Sequence, residues 1–215
     1  TVKSGDTFTV HNEVKIAASM LPTALIFEDP ANLIQVNNVV NTDSIYYRRN
    51  SAPIKKFDYT YWSSPVANQT ISSFSPNTLL TYVWDTSIYN WSYTNHSSIM
   101  IAAKGYIIRA PDIAPFNAAT PNIFNGEFFG VPNNGTYTTP IATSVANAYN
   151  LIGNPYPSAI DADAFLIANM PSNGGVLNGT IFYWTHNVPI TSNGNTYEYS
   201  WNDYASYNLT GGVGT

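Results

Sequence analysis

The sequence predicts an all-β chain: a short β-solenoid-like N-terminal region followed by a β-sandwich of two related halves with one short helix. Three observations carry this expectation. The 215 residues include 16 Tyr, 10 Phe and 5 Trp set among Thr, Val and Ile, side chains that suit a pleated sheet. Asn, Gly and Pro interrupt the chain at short intervals, as turns between strands require. Finally, Phe57-Asp58-Tyr59-Thr60-Tyr61-Trp62-Ser63-Ser64-Pro65-Val66 has an echo in Leu151-Ile152-Gly153-Asn154-Pro155-Tyr156-Pro157-Ser158, and both read as a strand running into a proline turn.

Taken in order, residues 1–52 form the solenoid-like coils or cap. Short β-type runs recur at Thr7–Val10, Val14–Ile16, Ala24–Phe27, Leu33–Val36 and Ile45–Arg48, each bounded by Asn, Asp, Gly or Pro. Such spacing suits stacked coils, in which one coil cannot bury its own face and rests on the next; an antiparallel meander is the competing reading. A turn is expected at Asn50 to Pro53, flanked by the basic pairs Arg48-Arg49 and Lys55-Lys56 on a solvated hairpin.

Residues 53–215 form the expected sandwich, with its repeat at about 57–111 and 149–215. Candidate strands are Phe57–Trp62, Leu80–Trp84, Trp91–Tyr93 and Gly105–Arg109. Pro111, Pro115 and Pro121 break any strand through residues 110–123. Phe124–Val131 and Gly135–Thr139 read as a hairpin about Pro132-Asn133-Asn134-Gly135, because Asn-Gly supplies the positive φ of a tight turn. A helix is expected from Ala159 to about Asn169, with Ser158 as N-cap, Asp161 and Asp163 in the first turn and Pro171 as its stop. Strands then follow at Thr180–Trp184 and Tyr197–Trp201, before an exit through Gly211-Gly212-Val213-Gly214.

Aligning the halves sets Ser64-Pro65 on Tyr156-Pro157, Tyr82-Val83-Trp84 on Phe182-Tyr183-Trp184, and Trp91 on Trp201. The first half continues into Gly105–Arg109, whereas the second has no counterpart, so it is expected to lack its last strand. That strand would be removed, disordered or supplied by another chain, and an unpaired edge is adhesive. Thr1 is not Met, so the chain is expected to be a processed or excised piece joined to neighbouring domains of a longer polypeptide.

Composition bounds the function. Charged residues make up 10% and the net charge is -5, with no Lys/Arg stripe, which argues against nucleic-acid binding. The absence of cysteine excludes disulfides, thiolate metal sites and thiol nucleophiles. No run approaches the roughly 18 apolar residues of a membrane span, so membrane insertion is not expected, and residues 1–20 lack a signal-peptide pattern.

The segments Phe57–Pro65, Phe74-Ser75-Pro76-Asn77-Thr78, Lys104–Pro111 and Leu151–Asp161 together resemble a module of large secreted, adhesin-like cell-surface proteins of Bacteroidota, substrates of type IX secretion. The resemblance covers most of the chain and implies an extracellular location. It brings no catalytic residues with it, and the sorting domain those proteins carry is not seen in this sequence.

No chemistry is announced elsewhere. His11, His96 and His186 lie in polar, turn-rich contexts without a nucleophile elbow, and Asp161 and Asp163 are two positions apart on a helix, so they point to different sides. No enzyme is expected. Calcium is the one cofactor the composition allows, with Asp161, Asp163, Asn202 and Asp203 as oxygen donors. Trp91, Trp201, Tyr89 and Tyr204 lie in polar stretches near loops and are candidates for stacking against sugar rings. Trp62, Trp84 and Trp184 alternate within strands and read as core, and repeated aromatics in a repeat fold also mark core positions. Asp43-Ser44-Ile45 resembles a Bacteroidota O-glycosylation acceptor, placing Ser44 on an exposed turn. The expected role is a non-catalytic structural or adhesion module that contacts surface glycans. The alternative is a dedicated carbohydrate-binding module of a polysaccharide-degrading system.

Overall fold

The computed structural model describes residues 1–16, 25–142, 148–188, 191–192 and 197–214. They form an all-β protein with two short α-helices, in two compact units, Thr1–Ala159 and Ile160–Thr215. None of the described sheets closes into a barrel.

In the first unit, β1 (Thr7–Val10) pairs in parallel with β3 (Asn32–Gln35), and β2 (Leu25–Phe27) pairs in parallel with β4 (Ile45–Ile54). The first pairing places Phe8 on Leu33; the isolated bridge of Val2 to Phe27 and the side-chain bond from Asn37 to Asn12 repeat the same 25-residue offset. Val14–Ile16 is not a strand. Val14 N donates to Asn41 Oδ1 at 2.7 Å and Ile16 N donates to Asp43 Oδ2 at 2.6 Å, so side chains stand in for a ladder there.

The expected turn at Asn50 to Pro53 is instead the inside of β4. That strand runs antiparallel to β9 (Asn122–Gly130), and its register shifts between Asn50 and Pro53, a bulge that accommodates a proline without a ladder N–H. β9 is therefore not half of a local hairpin. Residues 133–135 act as a clasp: Asn133 Nδ2 donates to Ser64 O at 3.3 Å and to Pro155 O at 3.0 Å, and Asn134 Nδ2 donates to Asn37 O and Val39 O, both at 2.9 Å. With those bonds made, the Asn-Gly segment is not free to close a two-residue turn.

A second sheet follows, in the order β5 (Tyr59–Trp62), β8 (Tyr106–Arg109), β6 (Thr81–Asp85), β7 (Asn90–Tyr93), all antiparallel. Between β5 and β6 lies α1 (Ile71–Phe74), absent from the sequence expectation and started by Thr70, whose hydroxyl accepts from Ser73 N at 3.2 Å. α1 sends Ile71 and Phe74 into the core. Phe74 stacks on Phe128 of β9 at 4.3 Å, Trp62 of β5 meets Phe74 edge-on at 4.9 Å, and Tyr106, Ile108, Ile45 and Tyr47 complete the buried cluster. Gly126 is required here because a Cβ would lie 2.9 Å from both Arg49 O and the Phe74 ring.

The two proline turns that echo each other in sequence touch in space. Ser63 Oγ donates to Asn154 O at 2.8 Å, and Asn133 bridges both turns. Residues up to Ala159 thus belong to the first unit, tied further by Leu33 N to Pro157 O and by Ala159 N to Asn32 Oδ1. The expected helix does not begin at Ser158, whose C=O accepts from Asn154 Nδ2 and whose neighbour Ala159 N donates to Asn32 Oδ1. It begins as α2 (Ala162–Asn169) with Asp161 as N-cap, its carboxylate accepting from Ala164 N at 3.0 Å.

In the second unit the sheet order is β10 (Thr180–Trp184), β13 (Tyr204–Asn208), β14 (Gly211–Val213), and β11 (Thr191–Ser192) and β12 (Tyr197–Glu198) pair antiparallel in a separate two-stranded sheet. The glycine-rich exit is therefore a strand, β14, antiparallel to β13. The expected strand to Trp201 stops at Glu198, and Trp201–Asp203 is a 3-10 turn.

Candidate functional site

Strand alternation decides which aromatics reach solvent. In β5, Thr60 and Trp62 face the core, so Tyr59 and Tyr61 face out. The register then places Tyr61, Ile107, Tyr82 and Tyr93 in one outward row across the sheet and pairs Trp84 with Trp91 in the next. The result is an aromatic sheet face made of Tyr59, Tyr61, Tyr82, Trp84, Trp91 and Tyr93. Its rings interlock: Trp84 and Trp91 meet edge to face at 5.2 Å, Tyr61 lies 6.0 Å from Trp91, Tyr82 lies 6.1 Å from Tyr93, and Tyr59 lies 6.2 Å from Tyr82. Ile107 is buried, Tyr93 is 58% exposed, and the other five rings are half-buried.

Two devices fix this face. Trp84 Nε1 donates to Tyr149 O at 2.8 Å, which orients the indole. At the β6–β7 loop, Asp85 Oδ1 accepts from Ser87 N at 2.9 Å and from Ser87 Oγ at 2.6 Å, bonds that hold its carboxyl below the usual range. That loop presents Tyr89 in the left-handed region at φ 51, uncommon for a bulky residue, with its ring 5.1 Å from Trp84. Tyr89 is 44% exposed and forms the rim of the aromatic face. Burial pushes the Tyr59 phenol up to about 12, helped by Tyr82 and opposed by Arg109.

Of the predicted stacking residues, the structure brings Trp91 and Tyr89 together on this face. Trp84, read as core, belongs to it as well, whereas Trp62 is core. Tyr204 lies in the second unit, paired with Trp184 across β10 and β13 at 5.1 Å and 66°. It therefore stands where the alignment set Trp201: Trp184 faces Tyr204 as Trp84 faces Trp91. The side chain of Trp201 lies outside the described residues. Tyr59, Tyr61, Tyr82 and Tyr93 were missed by sequence reasoning; the signal was the parity of Tyr59-Thr60-Tyr61-Trp62, which only the core partners of Trp62 resolve.

The calcium candidates are engaged locally. Asp161 caps α2, Asp163 accepts from Tyr207 Oη at 2.8 Å, and buried Asp203 accepts from Val188 N at 2.7 Å and Ser200 N at 3.2 Å. Asn202 is exposed. Among the described residues no cluster of three or more His, Asp or Glu side chains is placed to hold a metal. Ser44 is half-buried just before β4, next to Asp43 with its bond to Ile16 N. Arg48 and Arg49 are paired: Arg48 with Glu28 and Glu127 at 2.8 and 2.7 Å, and Arg49 with Asp29 at 3.7 Å.

With this geometry in place, comparison with known proteins gives one result. The chain belongs to the family described as Domain of unknown function (DUF8693), whose family model matches residues 1–215. No curated protein and no solved structure matches it.

Proposed function

We propose that this chain is a non-catalytic module of an extracellular, cell-surface adhesion protein, and that it contacts glycans through the aromatic face of the β5-β8-β6-β7 sheet. The observation that carries the reading is that face itself. Flat, half-exposed rings are held in fixed mutual geometry by the sheet register, by the Trp84 bond to Tyr149 and by the Asp85 loop, with Tyr89 at the rim. Sugar rings present apolar C–H faces that lie against such aromatic surfaces, and rigid aromatics lose little entropy on binding.

The stalk-like part of the reading is supported by the parallel pairings of β1 with β3 and β2 with β4. The 25-residue offset recurs in a strand, a bridge and an Asn–Asn side-chain bond, as stacked solenoid coils require. The matching aromatic pairs Trp84–Trp91 and Trp184–Tyr204 support descent of the two halves from one repeated unit.

A dedicated carbohydrate-binding module of a polysaccharide-degrading system is the second reading, favoured by the number of rings gathered on the same face. A glycan array probed with the wild-type chain and with Trp84→Ala and Trp91→Ala tests the glycan contact. Binding that these substitutions abolish supports it, and binding indifferent to them refutes the assignment to this face.

A further inference from the structure

A second outward surface in the first unit is built in rungs. On the face of the β2-β4-β9 sheet turned away from the core, Tyr46 is opposite Phe129, Arg48 is opposite Glu127, and Asn50 is opposite Asn125. Each rung pairs like with like or charge with charge, and successive rungs are spaced by two residues, roughly 6.6–7 Å along a strand. The Tyr46 and Phe129 rings lie 4.6 Å apart, and Phe129 is 50% exposed. Glu28 extends the middle rung, so the Arg48 guanidinium is clamped between two carboxylates through Nε and Nη1. Asn50 and Asn125 are both exposed, and among the described residues neither side-chain amide has a hydrogen-bond partner. The lower two rungs floor an open depression of about 660 Å³, with Lys3 on its wall. The register shift after Asn50 ends the ladder beside it.

The chemistry of this ladder selects its ligand. The basic groups that line the depression, Lys3 and Arg48, stand beside the acidic groups Glu28, Asp29 and Glu127, with Asp29 also paired to Arg49 of the opposite face, so no excess of positive charge draws an anion and the carboxylates are largely engaged by guanidinium groups. What remains is a rigid set of hydrogen-bonding groups: carboxylate oxygens with lone pairs to spare, guanidinium N–H groups beyond the two engaged, and two facing amides. An aromatic rung adjoins them. Neighbouring hydroxyls of a sugar match this alternation of donors and acceptors, and the aromatic rung matches its apolar face.

We infer that the outward face of the β2-β4-β9 sheet is a binding site for a neutral oligosaccharide. Asn50, Asn125 and the Glu28–Arg48–Glu127 clamp take its hydroxyls, and Tyr46 and Phe129 stack a ring. This rests on the reading of the chain as a glycan-contacting module but uses a different surface from the aromatic face, so the two are separable.

The test screens the intact chain against an array of neutral and uronic-acid oligosaccharides, then titrates the best neutral hit by calorimetry. The variants are Asn125→Ala, Phe129→Ala, Arg48→Gln and, separately, Trp91→Ala, each checked by its thermal melt. Asn125→Ala and Phe129→Ala change exposed side chains, so they keep the test valid if Arg48→Gln loosens the sheet. The expected result is a neutral ligand whose affinity falls about tenfold or more in Asn125→Ala and in Phe129→Ala, with folding retained. Affinity unchanged in both but lost in Trp91→Ala overturns this site while leaving the proposed function standing. Selection of uronic-acid oligosaccharides alone, or no binding to any glycan, overturns this site too, and the second result also removes the proposed function.

Discussion

Gly153 shows how tightly single positions are set where the two proline turns meet. A Cβ there would collide with the Ser63 side chain and lie 2.8 Å from Lys104 O, while Gly153 N donates to Ala103 O at 3.0 Å. Since the backbone on both sides is bonded, neither turn can retreat. Gly153→Ala is expected to cost about 1–3 kcal/mol, and Asn133→Ala, which strips Ser64 O and Pro155 O of their side-chain donor, a similar about 1–3 kcal/mol. Urea unfolding of each variant reads this directly. A second residue-scale prediction concerns tyrosine ionisation. Burial pushes the phenols of Tyr47 and Tyr59 up to about 12 from an ordinary 10.0. A folded value above the unfolded one means that the neutral form is favoured by folding. Their contribution is therefore complete below pH 10 and is lost as pH rises from 10 towards 12. Unfolding midpoints measured across that window should fall more steeply for wild type than for Tyr47→Phe/Tyr59→Phe; parallel curves would contradict the burial of these hydroxyls.

Within the element β5, alternation assigns opposite fates to neighbouring aromatics. Trp62 packs on Phe74, Phe124 and Phe128, so Trp62→Ala is expected to cost about 3–5 kcal/mol through the cavity it leaves. Trp91→Ala, on the half-exposed face of β7, should cost less stability and instead remove glycan binding. A thermal melt and a binding assay on the same two proteins separate the cases, and equal destabilisation by both would show the outward face to be core. The strands of this sheet were legible within a residue or two because their aromatic runs are bounded by turn residues. Their faces were not, since Tyr59, Tyr61 and Trp62 are all apolar enough for either side, and only the packing of Phe74 and Phe128 chooses. The partner of β9 was illegible for a related reason. Asn133-Asn134-Gly135 carries the local signature of a hairpin, yet the long-range bonds from Asn133 and Asn134 to Ser64, Pro155, Asn37 and Val39 override it. The alignment set Trp184 on Trp84 and Trp201 on Trp91, whereas the residue opposite Trp184 is Tyr204, because loop length cannot be read without the register.

At the scale of the whole molecule, the first unit carries its core between two sheets and turns two different surfaces outward, one almost wholly aromatic and one laddered with charge and amide. A chain with 10% charged residues has few side chains with which to make ion pairs. It concentrates Arg48, Glu28 and Glu127 on one face and leaves aromatic area on the other. The parallel pairings near the N-terminus and the two outward faces are the features on which the proposed role as a surface module rests. The most direct measurement is a glycan array of the intact chain run beside Trp84→Ala and Trp91→Ala proteins that retain the wild-type melt. The expected result is a defined set of glycans bound by wild type, of which those held by the aromatic face are lost in both variants. A folded wild-type chain that binds no glycan on the array would contradict it.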